Sequence, residues 1–315
     1  MKALAILFAC FPIFLFGIGS DVTVDFTVND EAGGAITNAS VVVATRRDRI
    51  ERYEHGRVAM LEMALKTDSN GHASAKFPCF SGEFRSQVGA PGFYGENIGN
   101  ILFKREAGGV FCEKLIEHEK KVNVVLRRKI SPIPMHVFPM SRGLKMPQDK
   151  GCFDYDLMRG EWLPPHGRGN VADLRVEFER IATSDVYSCT GVVRVLNGGA
   201  CKLKKLPGFS FPSVYEADTN AVYVSELEFK SVKSSAHPAD DVEVPLLSDD
   251  EYLVLRSRAR YDAEGHVVQA NYSKIYGPMK VGKYFIYEHS FFNPTPNDTN
   301  LEFDETRNLA PRRRR

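Results

Sequence analysis

The sequence predicts an all-β protein: a β-sandwich at the N-terminus, followed by a second β-rich domain. Three observations predict it. Apolar residues recur at every second position in one run after another, which is the period of a half-buried strand. Gly, Pro, Asn and Asp punctuate those runs at short intervals, as the turns of a β-protein require. From Gly151 onward no stretch sustains a helical period or alternates strand with helix, which argues against a doubly wound α/β fold.

The chain's 315 residues allow about two domains. Hydrophobic residues make up 43% and charged residues 26%, enough to build a core and a solvated surface. The formal net charge is +1, so no global field recruits nucleic acid, and none is expected as a partner.

Residues 1–19 read as a signal peptide. Lys2 is followed by an apolar run from Ala3 to Phe16, and Gly17 and Gly19 supply the small positions for cleavage after Gly19. The run is shorter than the roughly 20 apolar residues of a spanning helix, and Pro12 interrupts it. Cys10 echoes a lipoprotein site, but Phe8 is bulky for that motif and the apolar run continues past the cysteine. No later segment is long and apolar enough to span. The mature chain is therefore expected to be exported, to the periplasm, the cell surface or the medium.

The first domain is taken as 20–130. In DVTVDFTV, Val22, Val24, Phe26 and Val28 share one face. NDEAGGAITN supplies a turn and ASVVVATRR a β-branched strand. Arg46 to Gly56 is a charged, solvated excursion, and RVAMLEMALKT fits a strand or a helix equally well. Asp68-Ser69-Asn70-Gly71 is a tight turn rather than a calcium loop: alternating ligands and a terminal acid are missing, whereas Asp and Asn bond their own backbone and Gly takes the positive φ. HASAKFPCF, RSQVGA and KKVNVVLRRKI complete the strands.

Three turns carry a family resemblance: Thr67-Asp68-Ser69-Asn70-Gly71, Ser81-Gly82-Glu83-Phe84 and Ala90-Pro91-Gly92-Phe93. Together with the strands between them, they resemble the carboxypeptidase regulatory-like domain. The departures are Phe84 and Phe93, where that family commonly has tyrosine, and the charged insert after Val43. The resemblance implies an Ig-like, prealbumin-like sandwich with a non-catalytic, accessory role, and no particular ligand.

SPIPMHVFP, with three prolines, reads as the start of a stiff linker over 131–150. The second domain, 151–311, contains CFDYDLMRGEWL, DLRVEFERI, VYSCTGVVRVL, AVYVSELEFKSV and EYLVLRSRARYDAEGHVVQANYSKIYG, all strand-like. It resembles uncharacterised exported bacterial proteins that carry an accessory sandwich in front, which transfers no activity. Arg312 to Arg315 form a basic, solvated tail.

Five cysteines follow the leader. In an oxidising compartment the expected bridges are Cys79–Cys112 and Cys189–Cys201, with Cys152 left over. None lies in a CxxC, so no zinc cage or redox pair is expected.

No catalytic residue is assigned and no cofactor is expected. GxSxG, HExxH and HxxE are all missing from the sequence. The GxGxxA spacing of Gly167 to Ala172 follows Pro164-Pro165 and precedes an alternating strand, so it is a loop. Tyr276 and Lys280 are separated by Gly277-Pro278, which breaks the helical turn that a YxxxK pair needs. His237 and Asp240 sit in a solvated Ser/Pro/Asp loop.

The ligand-binding candidates are Asp154, Tyr155, Asp156, Glu161 and Trp162, acids beside the one tryptophan, as sugar sites are lined. Ordinary strand ends look the same. The functional expectation is an exported, non-catalytic binding or structural module of the cell envelope or extracellular space, recognising carbohydrate or another envelope protein. One alternative is a polysaccharide hydrolase drawing paired acids from Asp154, Asp156, Glu161 or Asp173. Another is a calcium-stabilised adhesion module using the Asn293 to Asp304 arm.

Overall fold

A computed structural model describes residues 20–46, 53–54, 57–58, 60–79, 82–107, 113–140, 143–235, 239 and 241–311. The leader 1–19, Cys112, His237, Asp240 and the tail 312–315 lie outside the described residues. Among those described the chain is all-β. It divides into two compact units between Arg128 and Lys129.

Two larger sheets form the body of the first unit, with two two-stranded ribbons beside them among the described residues. Ser20–Asp30 pairs in parallel with Glu119–Leu126 and antiparallel with His72–Cys79. The second sheet runs in the order Met60–Lys66, Ser40–Arg46, Glu83–Gly89, Glu96–Leu102. The alternating face of the first strand is the core: Val22, Val24, Phe26 and Val28 pack with Val41, Val43, Phe84 and Val88. Met60–Lys66 is a strand because the edge of Ser40–Arg46 pairs with it along its full length. Its Leu61, Met63 and Leu65 turn toward the core. In the charged excursion, Tyr53–Glu54 pairs with Arg57–Val58.

The Asp68 turn is a corner. Asp68 Oδ1 accepts the amides of Asn70 and His72 at 2.9 and 2.8 Å. Gly71 has φ +75°, and a Cβ there would stand 2.5 Å from the Val28 carbonyl oxygen. The position therefore demands glycine twice over, by conformation and by space.

In the second unit, one six-stranded sheet runs Gly199–Lys204, Glu251–Tyr261, Val267–Tyr276, His289–Phe292, Ile133–Pro139, Phe303–Asn308. The other runs Glu161–Trp162, Lys150–Asp156, Leu174–Ala182, Val186–Val195, Glu226–Ser234, Val242–Val244. A three-stranded sheet of Leu144–Lys145, Tyr284–Ile286 and Lys280–Val281 adds to them. One apolar cluster joins all three, including Phe153, Val176, Phe229, Leu253, Leu255 and Phe285. Glu251–Tyr261 is buried on both faces, since Tyr252 and Val254 enter a second cluster with Tyr272 and Leu301. Its unbroken apolar run follows from that double burial.

The linker expected over 131–150 is corrected. Ile133–Pro139 is an internal strand, hydrogen-bonded between His289–Phe292 and Phe303–Asn308. The prolines are accommodated by irregularity. Pro134 falls at a register shift between Ile133 and Met135, where no ladder donor is required, and Pro139 is the last residue of the strand. Side chains supply further bonds: Asn308 Oδ1 accepts the Val137 amide at 3.1 Å.

Candidate functional site

The sugar-stacking aromatics are core residues, which corrects that expectation. Tyr155 and Trp162 are 0% and 3% exposed. They are cross-strand partners on the inward face, with ring centroids 5.3 Å apart edge to face. Trp162 Nε1 donates to the Lys145 carbonyl at 3.0 Å, and the Tyr155 and Tyr287 hydroxyls meet at 2.6 Å. The period of Lys150–Asp156 sends Phe153 and Tyr155 inward, and no platform remains for a ligand.

The acids separate into two kinds. Asp154 and Glu161 make surface ion pairs. Asp154 takes a bidentate pair from its cross-strand partner Arg175 at 2.7 and 3.0 Å, and Glu161 pairs with Arg168 at 3.0 Å. Asp156 and Asp173 are buried and converge on Arg258. Asp173 receives Arg258 Nε and Nη2, both at 2.8 Å, and the Leu157 amide at 2.9 Å. Asp156 Oδ1 accepts Arg258 Nη2 at 3.2 Å and the Met158 amide at 2.9 Å, while its Oδ2 accepts the Asn170 amide at 2.8 Å.

Two carboxylates therefore do meet in space, but around a guanidinium and backbone amides rather than around a substrate. Burial pushes the Asp173 carboxyl up, against the lowering effect of Arg258. Arg258 itself has φ +54° at a bulge, with its guanidinium 4.7 Å above the Phe292 ring. The cluster fastens the 156–173 loop to the strand Glu251–Tyr261.

The arm from Asn293 to Asp304 spends its oxygens on its own backbone. Asn293 Oδ1 caps Thr295, Asp298 Oδ1 caps Asn300, Asn300 Oδ1 caps Glu302, and Asp304 Oδ1 caps Thr306, all within 3.0 Å. These are successive side-chain turns rather than a converging cation cage.

The Cys189–Cys201 bridge is absent, and Cys79, Cys152, Cys189 and Cys201 are free thiols. Cys189 lies in the core with Ala200, whereas Cys201, the next residue after Ala200, points to the opposite face of its strand. The partner expected for Cys79 lies outside the described residues.

What sequence reasoning missed is a cleft of about 380 Å³ in the second unit. One wall is the inner face of Glu226–Ser234 and its neighbours, with Tyr187, Phe229, Ser231, Lys233 and Glu243. The other is the hairpin of Lys280–Val281 and Tyr284–Ile286. Cys189 Sγ donates to the Val281 carbonyl at 3.3 Å, and the Met279 amide to Leu247 at 3.0 Å, so the hairpin is fastened across the sheet. The sheet face beyond it stays open.

Phe229, Leu246, Met279, Val281 and Ile286 give the cleft apolar walls; Lys233, Lys280 and Lys283 give it cations, while Lys230 alternates to the outer face of its strand. The one carboxylate in the lining is Glu243, 3.7 Å from Lys233. Burial pushes the Tyr187 phenol up, so it stays a neutral hydrogen-bonding group. The lysines are visible in the sequence within FKSVK and KVGK. Their meeting is a product of the topology, and no local pattern announces it.

A second feature unannounced by the sequence is Lys274, 0% exposed. Its Nζ donates to Ser213 Oγ at 2.9 Å and stands 4.0, 4.7 and 5.1 Å from the Phe211, Phe291 and Tyr276 ring centroids. Aromatic faces are a favourable environment for a desolvated ammonium.

No family model and no curated protein matches the chain. Solved structures similar to parts of it include 3-chlorocatechol 1,2-dioxygenase from Rhodococcus opacus 1CP. It is 10% identical over 35% of this chain and 61% of that one, with a TM-score of 0.27. A DUF3823 family protein from Parabacteroides merdae is 9% identical over 87% of this chain and 98% of that one, TM-score 0.19. A streptococcal ancillary pilin is 14% identical over 67% and 58%, TM-score 0.19. The chain thus spans about three-fifths of the dioxygenase's length, and likenesses at these scores bring no activity to it.

Proposed function

We propose that this chain is an exported, non-catalytic binding module whose second unit takes an anionic ligand in the cleft between Glu226–Ser234 and the hairpin of Lys280–Val281 and Tyr284–Ile286. The observation that carries the reading is the charge of the lining: Lys233, Lys280 and Lys283 against one glutamate. Lys233 stands 3.7 Å from Glu243, whereas Lys280 and Lys283 have no carboxylate partner among the described residues, so their charge is available to a ligand. A concave site with low-dielectric walls focuses that field. Export rests on the charged, apolar and small-residue layout of 1–19. The first unit serves as an accessory sandwich, as its resemblance to carboxypeptidase regulatory-like domains implies.

The test is titration calorimetry of the mature chain with an anionic panel (oligogalacturonate, 1-naphthoate, sulfate) and with neutral cello-oligosaccharides. At least one anion should bind and lose tenfold or more in Lys280→Glu/Lys283→Glu, with melting unchanged. Binding of neutral sugars alone, unaffected by that variant, overturns the reading.

A further inference from the structure

Resting on the anionic-cleft reading, we infer that the ligand is a small amphipathic organic anion, an aryl or alicyclic carboxylate, rather than a polysaccharide. The volume of about 380 Å³ lies within the range of sites that enclose one small organic molecule. The walls argue for an apolar body. Phe229 and Val281 form a floor that is only 6% and 8% exposed, while half-buried Ile286, the cross-strand partner of Lys280, and exposed Tyr284 set further apolar surface beside that charge. A hydroxyl-rich chain laid there would lose water from its hydroxyls without gaining partners, which costs free energy at every unpaired group. An apolar ring loses nothing by the same contact and gains by burial.

The head group follows from the cations. Lys280 and Lys283 flank Val281 in sequence, so charge and apolar surface alternate along one short hairpin. A ligand with an apolar body and a single anionic end satisfies both at once. Lysine offers a mobile point charge suited to a carboxylate of variable position, with less directional demand than an arginine fork.

The experiment is calorimetry of the full mature chain with 1-naphthoate, its neutral isostere 1-naphthalenemethanol, sulfate and oligogalacturonate. Each is repeated on Lys280→Glu/Lys283→Glu and on Ile286→Glu, with circular dichroism confirming that the variants fold. The inference expects 1-naphthoate to bind with a negative heat-capacity change, the mark of apolar burial. It expects the neutral isostere to bind tenfold or more weakly, sulfate to give no measurable heat, and both variants to weaken naphthoate tenfold or more. Lysine-dependent binding of oligogalacturonate without naphthoate overturns the inference while leaving the anionic cleft standing. Naphthoate binding untouched by the lysine variant places it elsewhere and overturns the inference. Silence from every anion overturns both.

Discussion

Arg258 grips Asp173 with two parallel hydrogen bonds of 2.8 Å across 85 residues of sequence, and the acid is fully buried. Asp156 closes the same guanidinium from the other side at 3.2 Å. Arg258 reaches them only because the strand bulges between Ser257 and Arg260 and holds this arginine at φ +54°. Removing one member of a buried pair leaves an uncompensated charge, which typically costs about 3–5 kcal/mol. Arg258→Met should therefore destabilise the second unit by about that much in urea unfolding. Asp173→Asn added to it should cost less than the sum of the two single changes. Strictly additive costs would show that the pair does not act as a unit.

Acid should weaken the fold through its buried histidines before the hydrogen-bonded surface carboxylates titrate, with Asp173, which burial raises, acting in the opposite direction. Burial lowers the pKa of His136 and of His289 below 6.5, so the folded state resists the proton that the unfolded chain accepts. By linkage their stabilising contribution is complete above pH 6.5 and declines as pH falls below it. The helpful carboxylates act lower. Asp68, Glu251 and Asp304 are held below their ordinary 3.8 to 4.5 by backbone and side-chain hydrogen bonds, Asp304 to about 2, so their loss begins only beneath that range. Melting between about pH 7 and 5 should fall, and fall less in His136→Gln. A flat profile over that interval would contradict the burial of these rings as a source of pH dependence.

Thiol labelling should follow exposure. Cys152 is exposed, whereas Cys79 and Cys189 are buried and have thiols that burial pushes up. Iodoacetamide on the native protein should label Cys152 first and leave Cys79 and Cys189 untouched until unfolding. Mass mapping should find Cys189 and Cys201 unlinked; a peptide joining them would contradict the placement of Cys201 on the opposite strand face.

Gly71→Ala and Gly92→Ala separate conformation from space. Both glycines have positive φ, +75° and +79°, but a methyl group on Gly71 would stand 2.5 Å from a carbonyl oxygen, while one on Gly92 would face open space. Gly92→Ala should cost about 1 kcal/mol and Gly71→Ala about 2–4 kcal/mol by chemical denaturation. Equal costs would mean that the close approach to Val28 is relieved without strain.

How much of this was legible in the sequence depends on whether the deciding interaction is local. Val22, Val24, Phe26 and Val28 declare their face by alternation alone, and the Asp68 turn by its own side-chain chemistry. Met60–Lys66 needed the edge of Ser40–Arg46 to decide between strand and helix. Ile133–Pro139 looked unable to pair, because nothing local shows that Pro134 lands in a bulge. Trp162 beside three acids suggested a site, yet the pairing of Tyr155 with Trp162 turns both rings inward and leaves Asp154 outside with Arg175. The cleft was least legible of all, since Lys233 and Lys280 are brought to it from separate sheets.

The most direct measurement is backbone amide shift mapping on the isotope-labelled mature chain during titration with 1-naphthoate. The account predicts saturable perturbations confined to Lys230, Ser231, Lys233 and the stretch from Lys280 to Tyr284, abolished in Lys280→Glu/Lys283→Glu. Perturbations centred on other residues, or none at millimolar ligand, would contradict the assignment of this cleft as the ligand site.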